Sequence, residues 1–274
     1  MNPWCANRGD VLKHLVLCEL LVRLERAGVT YVDAFAGRPF NHLMQAQYEF
    51  SRRRVPHGGW ADQFLAAVED APCRQLANSP YVRLLTASHP EGTFWQNGSV
   101  AVDPVYPGSA GFAWLLLGPT ARWICADTSG TDRGELTALF GRDAVLDDLV
   151  GIPEKWEEIL SDSGRTTLVL VDPFDLTARG KRGEPARDFV YAAARHHATV
   201  AAWYPYGPRY DPQAIVDLAI RLSKLTVPVS TIELSWGELA GTSLNGAGML
   251  LVGLDGQEAT EIRCLVELVD KLPF

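Results

Sequence analysis

Residues 167–176 read TLVLVDPFDL. Thr167 to Val171 are β-branched or aliphatic and carry no charge, and the run then stops on Asp172, Pro173, Phe174 and Asp175. Such a run suits a strand buried on both faces, as in parallel sheets whose crossovers lay helices on each side. A carboxylate at its end is either an ordinary strand terminus or part of a site. Ligands of open α/β sheets bind beyond the carboxyl ends of the strands.

The rest of the chain alternates in the same style. Upstream, Ala121–Asp127 (ARWICAD) and Asp143–Asp148 (DAVLDD) predict short strands, and Gly111–Leu117, Asp132–Phe140 and Trp156–Leu160 predict helices. Downstream, Ala186–His196 and Pro212–Lys224 predict helices around a strand at Thr199–Pro205. Val229–Trp236 and Gly248–Leu254 close the chain as strands, and their short connection makes them antiparallel. Near the start, Leu12, Leu15, Val16, Leu20 and Leu24 repeat at helical spacing within Asp10–Ala27, with Asp10 as N-cap and Gly28 as stop. Val29–Gly37 (VTYVDAFAG) predicts a buried strand opening into a small-residue loop. Residues 38–105 break the alternation. They predict helices around Ala61–Asp70 and Tyr81–Ser88 and a loop rich in Gly, Asn and Pro, read as a helical insertion in one domain spanning 1–274. The pattern is that of an α/β fold with a mostly parallel sheet.

Composition limits the function. The 274 residues are 47% hydrophobic and carry a net charge of −8, which fits a protein with a sizeable core and excludes a non-specific nucleic-acid coat protein. Contact with one RNA element or a small molecule stays open. The run Arg52-Arg53-Arg54 is either a solvated helix face or a local basic patch for RNA. Five cysteines without C-x-x-C spacing predict neither a disulfide framework nor a metal site. The start MNPWCANRGD lacks the pattern of a signal peptide, and no stretch reaches the roughly 18 apolar residues of a membrane span. A soluble, cytoplasmic protein is expected, with its oligomeric state undetermined.

Four predicted strand ends carry acids: Asp33 (followed by Gly37), Asp127, Asp147-Asp148, and Asp172 to Asp175. An acid after the second strand is the usual partner of a ribose diol, although Asp127 in DTSGTD could equally cap the next helix. In Phe35–Phe40 (FAGRPF) a single glycine is a weak nucleotide-loop signal, and Pro39 removes a backbone donor. Asp172 and the Pro173 carbonyl could accept hydrogen bonds from an amine while Phe174 stacks on a flat ring. The plain alternative is a turn. Lys13 and His14 lie on the first helix, and His196-His197 near a helix end reads as a C-terminal charge.

Together these segments resemble the RlmJ-type methyltransferases, which modify the exocyclic amine of one adenine in large-subunit ribosomal RNA. ANRGDVLKHLVL (6–17) is similar to the family's N-terminal G-N-x-A-D-V-L-K-H segment and YVDAFAG to its first strand. YPGS (106–109), AWYP (202–205), IEL (232–234) and GAGML (246–250) recur in the same order. The resemblance implies a class I S-adenosylmethionine (SAM) dependent, Rossmann-like fold with a seven-stranded sheet and an insertion. It implies SAM as cofactor, met by Lys13, His14, Asp33, Gly37, Ser109 and Asp127, no metal, and a catalytic loop of Asp172, Pro173 and Phe174. The chain departs from the family at that loop, where D-P-P-Y is D-P-F-D, and at A-G-x-G, where Pro39 replaces the second glycine. These departures leave open a catalytically silent relative that binds SAM or a partner, and a methyltransferase acting on a small molecule or protein.

Overall fold

The computed structural model of the chain describes residues 7–24, 28–42, 64–65, 67–68, 74–88, 105–161, 164–173, 176–177, 185–207, 210, 212–236 and 245–272. Phe174, Asp175 and the Arg52–Arg54 run lie outside them.

The strands are β1 (Val29–Asp33), β2 (Phe40–His42), β3 (Val105–Pro107), β4 (Arg122–Ala126), β5 (Val145–Leu146), β6 (Thr166–Val171), β7 (Thr199–Tyr206), β8 (Val229–Ser235) and β9 (Gly246–Val252). Seven of them form one sheet in the order β5-β4-β1-β6-β7-β9-β8. Neighbours from β5 through β7 run parallel, and β9 runs antiparallel to both β7 and β8. The expected antiparallel closing pair is therefore present, with Ile232 opposite Met249. β2 and β3 form a separate antiparallel ribbon that the sequence reading did not contain.

The helices are α1 (Arg8–Arg23), α2 (Arg74–Ala77), α3 (Pro80–Ser88), α4 (Ser109–Leu117), α5 (Gly130–Phe140), α6 (Trp156–Leu160), α7 (Ala186–Arg195), α8 (Gln213–Ser223) and α9 (Gly256–Asp270). Strand residues alternate between two cores, as the two-residue period of a strand requires. Tyr31, Leu168, Leu170, Ala201 and Met249 face the core that also holds α1, α3, α4 and α9. Val32, Val169, Val171, Val200 and Ala202 face the core formed with α6, α7 and α8. In the segment read from sequence as an insertion, Phe64, Val68, Leu76, Tyr81 and Leu85 are buried in the α1 core.

Three readings need correction. The N-cap of α1 is Asn7, and Asp10 occupies N3, where its carboxylate accepts from the Asn7 amide to complete a capping box. Chain termination by two strands omitted α9, whose capping box of Asp255 and Glu258 was a readable signal. Asp148, read as an acid at a strand end, is 8% exposed and closes a turn: its Oδ1 accepts the Gly151 amide at 2.9 Å.

Candidate functional site

Strand order reverses beside β1. The chain steps from β1 outward to β4 and β5, then returns to place β6 on the other side of β1. A crevice at the carboxyl ends of strands flanking such a reversal is the general ligand position in open α/β sheets. Asp33 ends β1, Asp127 follows β4 and Asp172 follows β6, so all three acids reach this edge.

Asp172 is met by α1. Lys13 Nζ donates to Asp172 Oδ2 at 2.6 Å and lies 3.0 Å from Asp10 Oδ1. The Lys13 and Asp172 side chains keep 12% and 19% exposure, so solvent rims the pair. Burial alone would weaken the Lys13 ammonium, but Asp172 and Asp10 outweigh it and hold the group protonated, above the usual lysine range. Burial pushes the Asp172 carboxyl up, Lys13 pulls it down, and Asp10 and Asp33 push it up again, leaving it at about 6. With three carboxylates around one ammonium, the upward direction does not depend on complete burial.

Asp33 is sealed at 0% exposure. Its Oδ2 accepts from Ser109 Oγ at 2.7 Å and Tyr31 Oη at 3.0 Å, and its Oδ1 from the Phe35 amide at 3.3 Å. Expected as a cofactor contact, Asp33 instead ties the loop after β1 to the first turn of α4. Ser109, at 4% exposure, serves the same junction. Burial raises the Asp33 carboxyl, opposed by those three hydrogen bonds.

The loop after β1 is braced from two sides. Gly37 donates its amide to Asp127 Oδ2 at 2.9 Å, and the Ser129 amide donates to Asp127 Oδ1 at 2.7 Å. Asp127 thus caps the loop and the α5 turn at once, and each oxygen retains capacity for a further donor. Gly37 adopts φ +59°, a conformation natural to glycine, and a Cβ there would face open space. Pro39, which lacks a donor, uses its carbonyl to accept the Gly108 amide at 2.9 Å. A Cβ on Gly108 would come within 2.2 Å of Arg38 O, and one on Gly111 within 2.0 Å of Pro39 O. The glycines of YPGSAG therefore let α4 seat directly on the loop. Arg38 turns toward α5, with Nε 2.8 Å from Asp132 Oδ1.

Of the residues expected from sequence, the structure joins Lys13 with Asp172, Asp33 with Ser109, and Gly37 with Asp127. Pro173 is buried where the chain leaves β6. His14 lies behind this edge at 2% exposure, its Nδ1 2.8 Å from Tyr106 Oη. Asp10, Tyr31, Tyr81 and Tyr106 were not anticipated. Only Asp10 carried a local signal, its i,i+3 spacing to Lys13.

The fold and its edge site define an α/β protein with a mostly parallel seven-stranded sheet. A solved structure of similar architecture is protein LPL1258 from Legionella pneumophila str. Philadelphia 1, family model DUF519. It matches with a TM-score of 0.70 at 18% identity, over 98% of this chain and 93% of that one. A likeness at that identity establishes the fold alone. Two other solved structures align far less well. Precorrin-6y C5,15-methyltransferase from Geobacter metallireducens GS-15 gives a TM-score of 0.32 at 13% identity over 53% of this chain and 74% of that one. The restriction-modification enzyme MmeI in complex with DNA gives 0.32 at 12% over 92% and 34%. Neither bears on function. No family model and no curated protein matches the sequence. Among the described residues, no helix is long and apolar enough to cross a membrane.

Proposed function

We propose that the chain is a SAM-dependent methyltransferase of the class I fold, acting on an exocyclic amine of adenine in RNA, with a ribosomal RNA-like substrate. The observation that carries the reading is Asp172, a partly exposed carboxylate at the end of β6, beside the strand-order reversal and anchored by Lys13. The sheet order, with one antiparallel strand inserted before the edge, supports the same class.

The residues present fit the cofactor. Asp127 offers two fixed carboxylate oxygens to a ribose diol, and the space beside Gly37 leaves room along the loop. Asp10, Asp33 and Asp172 give the edge an excess of negative charge over Lys13, which suits a cationic sulfonium. When bound, SAM supplies an electrophilic methyl carbon on a good leaving group.

An exocyclic amine is a poor nucleophile because its lone pair is shared with the ring. The Asp172 carboxylate accepts one of its N–H bonds and the Pro173 carbonyl a second, which orients the lone pair and raises its electron density. After transfer the nitrogen must release a proton. A carboxyl at about 6 is ionised at neutral pH and basic enough to take that proton before passing it to water. Lys13 holds the Asp172 carboxylate in place throughout.

The test is transfer of tritium from methyl-labelled SAM to unmodified ribosomal RNA, comparing the native protein with Asp172→Asn. Label on an adenine amine, lost in the variant, supports the reading. SAM binding without label in RNA rejects the acceptor and turns the search to small molecules or proteins.

A further inference from the structure

β7 runs past the end of β6 and brings an indole to Asp172. Val171 pairs with Ala202 in the parallel register, so the next residues, Asp172 and Trp203, come side by side on strands about 4.8 Å apart. Both side chains face α1. Leu170 and Ala201, two residues earlier on each strand, belong to the core that holds α1. Lys13 meets Asp172, and a Cβ added at Gly9 would lie 3.5 Å from Trp203 Cζ2 and 3.6 Å from its Nε1. Gly9 and Lys13 are one turn apart on the same helix face. One turn of α1 therefore crosses both strands, with Lys13 over the carboxylate and Gly9 over the edge of the indole.

The indole is held but not sealed. It packs against the α1 core and sits opposite Met249 of β9, yet it stays half-buried, unlike Tyr31 and Phe112 in the same core. With the sheet beneath it, α1 above it and Met249 beside it, the ring opens toward Asp172 and the strand ends. Sheet order fixes what lies on each side. β1 and β4, with Gly37 and Asp127 beyond their ends, flank Asp172 on one side, and β7 with Trp203 flanks it on the other. A flat ring whose amine reaches Asp172 thus has the proposed cofactor position toward one face and the indole toward the other. The reacting lone pair of such an amine stands perpendicular to the ring. Methyl enters through one face, and the opposite face is free to be supported.

We propose that Trp203 is the stacking platform of the methyl acceptor, supporting the face of the amine-bearing ring that points away from the methyl donor. Hydrogen bonds at the amine alone let the ring pivot, and a face contact removes that freedom and aims the lone pair. The platform selects an aromatic acceptor, adenine in the reading above, over an aliphatic amine. The methyl donor in this proposal rests on that reading; the stack itself rests on the register of β6 and β7. Phe174, the ring expected from sequence to stack, lies outside the described residues.

The experiment has two arms. The first is single-turnover methyl transfer to unmodified ribosomal RNA by the native protein, Trp203→Leu and Trp203→Phe, with SAM affinity measured beside it by calorimetry. Trp203→Leu should lower kcat/KM for RNA by about 5- to 100-fold, the worth of one stacked base, with SAM affinity kept within about twofold. Trp203→Phe keeps a flat ring and should recover most of that loss. The second arm needs no turnover. Native protein labelled with 15N at tryptophan, saturated with demethylated SAM, is titrated with adenosine monophosphate and with ribose 5-phosphate. The Trp203 Nε1–H signal, assigned by its loss in Trp203→Phe, should shift with the nucleotide and stay in place with the sugar phosphate. Native kcat/KM in Trp203→Leu overturns the platform and leaves the proposed function standing, and so does equal damage in the leucine and phenylalanine variants. A nucleotide-dependent shift in a native protein that transfers no methyl overturns the proposed function and leaves the platform standing. If Trp203→Leu does not fold, the shift in native protein decides, and its absence up to millimolar nucleotide overturns the platform.

Discussion

Lys13 Nζ lies 2.6 Å from Asp172 Oδ2, joining the second turn of α1 to the end of a strand 159 residues later. Asp10, one turn before Lys13, shares the same ammonium at 3.0 Å. This arrangement separates two roles. Asp172 can be removed without leaving Lys13 as a lone buried charge, because Asp10 remains.

Asp172→Asn should therefore fold and bind SAM within a few-fold of the native protein. Its kcat should fall about 10- to 100-fold, the worth of a hydrogen bond to a charged acceptor made in the transition state. Single-turnover transfer measured beside calorimetry checks the split. A fall in affinity with unchanged kcat would make Asp172 a cofactor residue.

The raised Asp172 carboxyl predicts a pH dependence. Its native value of about 6 exceeds the ordinary carboxylate value, so the folded state binds the proton more tightly than the unfolded state. The stability it contributes is complete below the ordinary carboxylate range and is lost as pH rises to about 6. Thermal unfolding of native protein and Asp172→Asn, compared from pH 4 to 7, should show the native protein losing ground relative to the variant. Methyl transfer should run the opposite way, rising through about pH 6 as the carboxylate ionises.

The seating of α4 on the Gly37–Pro39 loop predicts opposite outcomes for two glycines. Gly111→Ala pushes a Cβ against the Pro39 carbonyl, a backbone atom that cannot swing aside, and should cost about 1–3 kcal/mol and loosen the Gly37–Pro39 loop. Gly134, inside α5 with nothing within 4 Å of an added Cβ, should stabilise by about 0.5–1 kcal/mol as Gly134→Ala. Chemical denaturation of both variants measures the contrast.

The sheet was legible where burial was symmetric. Thr167–Val171 is apolar on both sides because helices cover both faces, and its neighbours alternate for the same reason. The β2–β3 ribbon was hidden, because three-residue strands separated by 62 residues carry no local periodicity. The acids at the strand ends were readable as a set, but their roles were not. Asp33 and Asp127 look alike in sequence. One is sealed beneath Tyr31 and Ser109, and the other sits half-buried at the surface, a difference set by packing across β1, β4 and α4. The hydrogen-bonded row of Tyr81, Tyr106 and His14 joins three distant segments through hydroxyls of residues that look in sequence like ordinary packing aromatics.

Titration calorimetry of the purified protein with SAM and with its demethylated product tests the central claim most directly. The account predicts micromolar binding of both at the edge formed by Lys13, Gly37, Asp127 and Asp172. Absence of heat up to millimolar cofactor would contradict it, and would mean that this sheet keeps the architecture of its acidic edge without holding a methyl donor there.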